Sequence, residues 1–594
     1  MGFVLKSFKF PKYQDFGKWI FYSALIGVVS GLGASAFFFL LQWGKFFVMD
    51  FLAGYPQVNP AGEQIVFLTA HTPFRSWLFF LIPSLGGLLS GLIVYSFAPE
   101  AEGHGTDAMI DAFHNKDGKI RTRVPYIKSI ASIITLATGG SAGREGPIAQ
   151  IGAGFGSWLG RILHLDIKQI RILLLAGTAG GLGAIFRAPL GAAIVSTEIV
   201  YREDFESNGI IPAVISSVVA YTIFSLFFGY SPIFETPTFT FSNPIELIIY
   251  AFLAIACAYV GIFYVRFFYG TRDYFFNKIP IKPHFKPAIG GLFVGIIGLF
   301  VPQALGGGYG YIQLAILGKL SIGLMIGIIL FKILSTSFTI SSGGSGGVFG
   351  PSIFIGAMIG GVIGGLGQKL FPEVVINPGA FVLVGMAGFF AGVAHAPIGS
   401  LLMVCEMTGN YGLLAPLMLV SAISILLNRR VSLYEKQEKN RFASKAHADE
   451  MRVNILSEIP VEDVYEKDKK LVKLKEYMTF SELRKVITET NLDYFPVVDD
   501  DNRLKGILSL RDLRTVLFED SLKDLVVVGE LAASPVSVSI DEDLYSALLK
   551  FIHSGFGQLP VVDSVDSDKI LGLLQHQDVI EAYEKEVSKR KSAR

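Results

Sequence analysis

Two glycine-rich segments carry a residue pattern that suits an anion site. Residues 139–147 read Gly-Gly-Ser-Ala-Gly-Arg-Glu-Gly-Pro, and residues 343–351 read Gly-Gly-Ser-Gly-Gly-Val-Phe-Gly-Pro. Each leads into an apolar stretch, and proline is well suited to the first turn of a helix. The backbone N–H groups at a helix start are unpaired and lie at the positive end of the helix dipole, so they attract anions. Two such starts facing each other could hold one small anion without a desolvated lysine.

The matching segments recur at a nearly constant spacing. The two glycine-rich loops begin 204 positions apart (343 − 139), and Gly177-Thr-Ala-Gly precedes Gly385-Met-Ala-Gly by 208 positions (385 − 177). Glycines that only pack helices are the alternative interpretation of each loop. We favour an anion site because the loops match and one of them carries Arg144 and Glu145. Transporters built from repeats place their sites where broken helices meet.

The composition predicts the environment in which these loops lie. The chain has 594 residues, of which 51% are hydrophobic and 17% are charged, and its formal net charge is +1. Soluble proteins carry roughly 25% charged residues, so the chain reads as a membrane protein with a soluble part. The near-neutral charge argues against nucleic-acid binding. Cys257 and Cys405 are too few for a disulfide scaffold or a cysteine zinc site, and no metal site is predicted.

Long apolar stretches predict an all-helical domain with several passes through the membrane. Lys18 and earlier lysines precede the first stretch, which is too long for a signal peptide, and the positive-inside rule then places the N-terminus in the cytoplasm. After Leu427 the chain becomes rich in charge, which predicts a soluble cytoplasmic tail. The apolar stretches begin at Trp19–Leu41 and continue with Trp77–Phe97, Ile170–Val200, Ile210–Phe228, Ile245–Phe268, Ala288–Val301, Ile322–Ile333, Gly379–Val404 and Leu413–Leu427.

Three loops resemble the signature loops of the CLC chloride channels and transporters. They read Gly143-Arg-Glu-Gly-Pro147, Gly347-Val-Phe-Gly-Pro351 and Gly103-His-Gly-Thr-Asp107. The resemblance covers residues 15–435 and implies an inverted-repeat fold with broken, tilted helices. It also implies a homodimer in which each subunit has its own pathway for chloride.

The resemblance implies roles for individual residues. Glu145 is similar to the external gating glutamate, whose ionised carboxylate competes with the anion and whose protonated form withdraws. The alternative is a carboxylate paired with Arg144. Tyr434 resembles the tyrosine whose hydroxyl touches the central anion, although a lone tyrosine at a membrane boundary is often only an interfacial anchor. The backbone N–H groups of Val348 and Phe349 resemble those that meet this anion. The other predicted anion-site residues are His104, Gly105, Arg144 and Gly146.

Two departures from the family pattern affect the predicted mechanism. His104 replaces a serine and Asp107 replaces a proline, so the imidazole either donates to the anion or turns aside. Ile199 occupies the position of the internal proton-relay glutamate, and its neighbour Glu198 points about 100° away on a helix. Because isoleucine carries no proton, the sequence favours a passive chloride channel. A chloride/proton antiporter remains the alternative, since water can carry protons.

The tail contains a second repeat. Phe495-Pro-Val-Val-Asp499 is followed by Gly506-Ile-Leu-Ser-Leu-Arg-Asp512, and Leu559-Pro-Val-Val-Asp563 by Gly572-Leu-Leu-Gln-His-Gln-Asp578. Each unit predicts two strands followed by a helix, and the pair resembles a tandem CBS domain. That resemblance implies a possible adenine-nucleotide site (ATP, ADP or AMP) at Ser509, Asp512 and Asp578. Each aspartate could instead only satisfy its own helix start.

These observations define the expected organisation. We expect a polytopic all-α membrane protein with a cytoplasmic α/β CBS pair, neither an enzyme nor dependent on a required cofactor. A CBS-regulated cation carrier would need more intramembrane carboxylates than Glu145, Glu198 and Glu406. The predicted boundaries are a segment at 1–18, the membrane domain at 19–435, a linker at 436–452, CBS units at 453–516 and 527–586, and a terminal segment at 587–594.

Overall fold

The computed structural model describes residues 13–63, 72–447, 455–465, 471–490, 492–515 and 525–592. The chain forms two compact units, residues 1–446 and 447–594. Most of the predicted N-terminal segment, the start of the first predicted CBS unit at 453 and its last residue, 516, lie outside the described residues.

The first unit is built of helices, and eight of those described are long and apolar enough to cross a membrane. Further apolar helices at 378–394, 397–408 and 414–428 are shorter. The helices are α1 Tyr13–Lys45, α2 Ser76–Phe97, α3 Thr106–Asn115, α4 Arg123–Ala137, α5 Glu145–Ile162, α6 Ile167–Phe186, α7 Pro189–Glu198, α8 Ile210–Phe228, α9 Glu246–Gly270, α10 Lys286–Phe300, α11 Tyr309–Ile316, α12 Ile322–Ser341, α13 Phe349–Leu370, α14 Pro378–Ala394, α15 Pro397–Thr408 and α16 Leu414–Asn428.

Two apolar stretches that read as continuous are each broken into two helices. Arg187 ends α6 at φ +52° and His395 ends α14 at φ +55°. A left-handed residue terminates a helix, and the proline two positions later cannot continue it. The helix α13, at 349–370, was not among the predicted spanning stretches, although it is as apolar as several of them; its start after the second glycine-rich loop was predicted from the Gly-Pro pair.

The two halves of the membrane unit share a backbone plan. Glycines in equivalent loops adopt the left-handed conformations that L side chains avoid. Arg187 and His395 form an additional pair of positive-φ positions. The paired glycines are Gly103 and Gly306 (φ +65° and +59°), Gly105 and Gly308 (both +79°), and Gly139 and Gly343 (+88° and +96°). The duplication predicted from two pairs of motifs therefore extends to the loops that precede α3 and α11.

Part of the predicted linker belongs to the membrane unit. The side chain of Gln437 is buried and donates from Nε2 to the carbonyls of Ile199 and Ala394, at 2.9 and 2.8 Å. The carbonyl of Glu438 accepts from the N–H of Arg202 at 2.9 Å. Residues 436–446 are therefore packed onto the helices, although their charge made them read as a solvated connection.

The second unit contains two similar three-stranded sheets. In each, a two-residue strand pairs parallel to a central strand, which pairs antiparallel to the third. The central strands contain the Pro-Val-Val motifs. The elements are β1 Leu474–Lys475, α17 Phe480–Glu489, β2 Tyr494–Val498, β3 Leu504–Ser509, α18 Val528–Leu531, β4 Val538–Ser539, α19 Leu544–Ser554, β5 Gln558–Val562, β6 Ile570–Gln575 and α20 His576–Ser592. The predicted two strands followed by a helix are confirmed in the second repeat; in the first repeat the two strands are followed by a short 3₁₀ turn, Asp512–Thr515, after which the chain lies outside the described residues.

Candidate functional site: a cluster of helix starts in the membrane unit

Backbone hydrogen bonds join the three glycine-rich loops. The N–H of Gly143 donates to the carbonyl of Gly347 at 2.7 Å, and the N–H of Gly347 donates back at 2.6 Å. The N–H of Gly346 donates to the carbonyl of Gly103 at 3.2 Å. A Cβ atom on Gly146 would lie 1.9 Å from the carbonyl oxygen of His104. The loops require glycine because their backbones approach more closely than side chains allow.

The helices α5 and α13 begin at this junction. Their N-cap residues, Arg144 and Val348, make no side-chain capping hydrogen bond. Among the described residues, no acceptor lies within hydrogen-bonding distance of the N–H groups of Val348 and Phe349. Both residues are buried. The start of α13 therefore carries unpaired donors and the positive end of a helix dipole in the interior of the protein.

The carboxylate of Glu145 lies at the start of α13. One oxygen, Oε2, accepts the N–H of Gly350 at 3.1 Å, and the other, Oε1, accepts the hydroxyl of Tyr309 from α11. The residue is 1% exposed. A buried carboxylate held by a helix N-terminus occupies the kind of position that a small anion would take.

The guanidinium of Arg144 pairs with a different carboxylate. Nη1 donates to Oε2 of Glu63 at 2.9 Å, Nη2 contacts the other oxygen, and both residues are about 5% exposed. The guanidinium also lies 4.7 Å from the ring centre of Tyr309. The alternative in which Arg144 neutralises Glu145 is therefore not the observed arrangement. The Arg144 side chain, predicted at the anion site, is committed to Glu63.

His104, Gly105 and Tyr434 lie on another side of the junction. The Nε2 atom of His104 lies 3.2 Å from Oδ2 of Asp107, and its Nδ1 is buried without a partner among the described residues. Gly105 forms the N-cap of α3. The ring of Tyr434 is 5.4 Å from that of His104 and is 1% exposed. Burial of this kind does not fit an interfacial anchor.

Ile199 lies at the end of α7, where its carbonyl is held by Gln437. The carboxylate of Glu198 accepts the N–H groups of Ile398 and Gly399 at 3.2 and 2.8 Å. It thus caps the start of α15, which accounts for its burial and makes it a poor substitute for a proton relay.

The second half contains the reciprocal arrangement. The carboxylate of Glu406 on α15 accepts the N–H groups of Leu190 and Gly191, at the start of α7, at 3.1 and 2.7 Å. The two intramembrane glutamates outside the anion site therefore exchange caps, and their use is structural.

Sequence reasoning missed two buried lysines. Lys128 on α4 donates to the carbonyls of Ala101 and Gly103 at 3.0 and 2.8 Å. Lys332 on α12 donates to those of Ala304 and Gly306 at 3.2 and 2.6 Å. Both have zero exposure. Their spacing of 204 positions (332 − 128) equals that of the glycine-rich loops and is the signal that would have found them.

Sequence reasoning also missed Tyr309, the partner of Glu145, and Glu63, the partner of Arg144. Each pair is far apart in the chain, by 164 and 81 positions. Their sequence neighbourhoods carry no motif that would link them to the site, so only the folded chain identifies them.

A cavity of about 430 Å³ reaches His104 and Asp107. It is lined by both acidic and basic side chains, and it includes Lys436 from the segment after α16. Its charged lining residues are Glu100, Glu102, Asp107, Asp111, Lys116, Arg272, Lys286 and Lys436. We call it the Lys436 cavity below.

In the second unit, the predicted nucleotide residues are engaged locally. Oδ2 of Asp512 accepts the N–H and the hydroxyl of Ser509 at 2.9 and 2.7 Å. The carboxylate of Asp578 accepts the N–H of Gln575 at 2.7 Å. The first repeat has the serine hydroxyl of Ser509 beside its aspartate, and the second repeat carries Gln575 at the equivalent position.

Comparison with known proteins agrees with this arrangement. The family profile for "Voltage gated chloride channel" matches residues 86–429, and the CBS domain profile matches residues 461–519 and 528–585. The chain is 30% identical to a "Putative chloride channel protein ClcB-like" of Ralstonia nicotianae over 404 residues, covering 67% of this chain and 90% of that protein. It is 32% identical to the "H(+)/Cl(-) exchange transporter ClcA" of Salmonella schwarzengrund over 416 residues, covering 69% and 85%.

The fold is also that of a solved relative. A slow cyanobacterial Cl⁻/H⁺ antiporter superposes with a TM-score of 0.60 at 24% identity, covering 69% of this chain and 94% of that one. Together with the profile matches and the joined helix starts, this shows that the chain is an integral membrane protein of the CLC voltage-gated chloride channel family with a C-terminal pair of CBS domains.

Proposed function

We propose that the protein transports chloride through the buried space between α5 and α13 and exchanges it for protons. The observation that carries this proposal is the Glu145 carboxylate held by the N–H of Gly350 and the hydroxyl of Tyr309. An ionised carboxylate in this place excludes chloride by occupying its donors. Protonation removes the negative charge, weakens these contacts and lets chloride take the place of the carboxylate.

Two observations support coupled exchange: the cavity reaches His104 but leaves Glu145 buried, and one relative is named an exchanger. The Lys436 cavity leads to His104, whereas Glu145 is 1% exposed on the other side of the loop junction. A site reached from one side and occupied by a titratable gate suits alternating access. The Salmonella relative is named a chloride/proton exchanger.

A passive chloride channel is the second candidate. It is favoured by Ile199, which cannot bind a proton where exchangers of this family carry a glutamate, and by Glu198, which is committed to capping α15. The Ralstonia relative is named a putative chloride channel protein. In this candidate Glu145 gates the path without carrying protons through it.

One experiment separates the two candidates. The purified protein is reconstituted into liposomes loaded with chloride, and external chloride and external pH are recorded together when the chloride gradient is released. Exchange predicts proton uptake against a proton gradient, driven by chloride efflux. Chloride efflux with no proton movement beyond that of protein-free liposomes would establish the channel, and absence of chloride efflux would reject chloride transport altogether.

We also propose that the transporter is a homodimer with both termini in the cytoplasm. The dimer is implied by the family, and α8 and α16 carry exposed apolar side chains such as Phe227 (64% exposed) and Leu426 (72%). The orientation rests on the lysines before α1 and on Arg429 and Arg430 after α16. Mass measurement of the detergent-solubilised protein tests the first point, and protease access to the tail in sealed vesicles tests the second.

Adenine-nucleotide regulation by the CBS pair is proposed with the first repeat as the stronger candidate. Asp512 with Ser509 offers a carboxylate and a hydroxyl beside a helix start, whereas the second repeat has Gln575 in place of the serine. The groove beside Asp578 is also lined by Glu458, Asp463, Glu581 and Glu586 against Lys585 and Lys589, and this excess of negative charge disfavours a polyphosphate there. Titration of the full-length protein with ATP and AMP tests the proposal, and no binding at millimolar nucleotide would reject it.

A further inference from the structure

The His104 ring is bonded at one nitrogen and open at the other. Its Nε2 lies 3.2 Å from Oδ2 of Asp107, and its Nδ1 is buried without a partner among the described residues. The whole residue is 7% exposed. A carboxylate partner selects the neutral tautomer that carries its proton on Nε2. In that form Nδ1 presents a lone pair, and only the imidazolium presents a second N–H donor.

His104 lies between the Lys436 cavity and the helix starts. Its carbonyl oxygen contacts Gly146 in the first turn of α5, and its ring neighbours that of Tyr434. The same residue lines the cavity together with Asp107. An anion or a proton that enters from the cavity therefore meets His104 before it reaches the space between α5 and α13.

The Asp107 carboxylate also fixes the segment that carries Tyr434. Its Oδ1 accepts the N–H of Lys436 at 3.1 Å while its Oδ2 faces His104. The ring cannot change tautomer without losing the contact with Asp107. A serine hydroxyl can rotate its hydrogen toward an anion at any pH, whereas this imidazole offers Nδ1–H only when protonated.

Other charged groups near the ring are largely engaged by partners of their own. Asp111 pairs with Lys116 at 2.6 Å, and Arg272 pairs with Glu435 at 2.8 Å. The carboxylate in contact with the imidazole is that of Asp107. The titratable or charged groups that face this region are Glu100, Glu102, Asp107, Asp111 and Lys116 around α3, Lys128 on α4, Glu145 on α5, Tyr269 and Arg272 at the end of α9, Lys286 at the start of α10, and Tyr434 and Lys436 after α16.

We propose that His104 makes chloride binding dependent on a proton at the end of the pathway that faces the Lys436 cavity. The inference rests on the proposed chloride transport and adds a second protonation step to that of Glu145. The imidazolium donates Nδ1–H to chloride, and the neutral ring turns a lone pair toward it. By linkage, chloride then raises the proton affinity of His104 to the same extent that the proton raises chloride affinity.

The expected change of chloride affinity with pH follows from the fraction of the protein in which the His104 ring is protonated. If only the imidazolium binds chloride, the apparent chloride affinity is tighter at pH 5.5 than at pH 7.5, by up to about tenfold for each pH unit over which the ring loses its proton. Where the ring of the free protein is neutral, chloride binding must also draw up to one proton from the buffer. Both quantities can be measured on the intact protein.

The test is isothermal titration of chloride into the full-length protein carrying Glu145→Gln, so that the gating carboxyl no longer titrates. The titration is run at pH 5.5 and 7.5, and at pH 7.5 in two buffers with different ionisation enthalpies to count protons. We expect tighter chloride binding at pH 5.5 than at pH 7.5 and a net uptake of protons on binding at pH 7.5. An affinity equal at both pH values, with no proton uptake, would overturn the proposal.

Matched variants identify the group that titrates. In the Glu145→Gln background, His104→Ser should bind chloride with pH-independent affinity and no proton uptake, because its hydroxyl donates at any pH. The exposed His164, in the loop between α5 and α6, is the control, and His164→Asn should keep the full pH effect. Persistence of the effect in His104→Ser would assign it to another group and reject His104. A parent protein that neither binds nor moves chloride would instead reject the proposed function.

Discussion

The two halves of the membrane unit share a backbone plan but carry different chemistry where they meet. Equivalent glycines adopt the same positive φ, equivalent lysines hold loop carbonyls, and Glu198 and Glu406 exchange helix caps. At the start of α5, however, the first half carries Glu145, and at the start of α13 the second half carries Phe349. One half therefore supplies an acceptor and the other supplies donors.

On the proposed function, this difference lets a duplicated scaffold act as a gate. If both helix starts carried glutamate, two carboxylates would compete for one space and repel each other. If neither did, no carboxylate would compete with an anion there. With a single carboxylate, the N–H of Gly350 is held by Glu145, and the N–H groups of Val348 and Phe349 remain unpaired among the described residues. The predictions below test this asymmetry, from the largest expected effect to the smallest.

Removing the charge of Glu145 should abolish the difference between the starts of α5 and α13, because neither would then carry a carboxylate. In Glu145→Gln, proton movement during chloride efflux from liposomes should fall to the background of empty liposomes. An amide cannot release a proton, and it binds the start of α13 more weakly than a carboxylate does. Proton transport that persisted in this variant would show that Glu145 is not the gate.

Removing a hydrogen bond to the Glu145 carboxylate should let chloride compete better for the donors at the start of α13. Tyr309→Phe removes the hydroxyl that contacts Oε1 of Glu145. A hydrogen bond to a charged group contributes about 1.5–3 kcal/mol, so the chloride affinity at neutral pH should rise about tenfold or more. Tyr311→Phe is the control. Tyr311 lies on the same short helix as Tyr309, but its hydroxyl contacts the hydroxyl of Tyr55 at 2.8 Å instead of Glu145. Equal effects of the two changes would contradict the assignment.

The helix caps formed by Glu198 and Glu406 should contribute equally to the free energy of unfolding. Glu198→Gln and Glu406→Gln should each lower the free energy of unfolding in detergent micelles by about 1 kcal/mol, because each removes a charge from a helix start. Glu373→Gln, at an exposed loop position after α13, should have no measurable effect. A large loss of proton coupling in Glu198→Gln at unchanged stability would instead make Glu198 a proton carrier.

The two CBS repeats also differ at equivalent positions, since Ser509 lies beside Asp512 in the first repeat and Gln575 lies beside Asp578 in the second. Asp512→Asn should weaken ATP binding to the full-length protein about threefold, and Asp578→Asn should change it less, because Ser509 adds a hydroxyl beside Asp512, whereas Gln575 stands at the equivalent position of the second repeat. Fluorescence titration with a nucleotide analogue measures both. A greater effect of Asp578→Asn would place the nucleotide in the second repeat.

Much of the site could be predicted from local patterns. The Gly-Pro pairs mark helix starts wherever they occur, and Glu145 stands beside one of them, so its position at an anion site follows from a few neighbouring residues. The constant spacing of the loops predicted the duplication. The break at Arg187 was harder to predict, since a left-handed non-glycine residue has no firm sequence signature and the flanking residues are apolar on both sides.

The sequence by itself determined where helices begin, which loops must be glycine and which half carries the carboxylate, because these depend on backbone conformation and on the identity of single residues. Only the tertiary structure decided the partners: Glu63 for Arg144, Tyr309 and Gly350 for Glu145, and Asp107 for His104. Buried charges and donors must be satisfied by whatever polar group the fold brings within reach, and for most of these pairs that group lies far away along the chain.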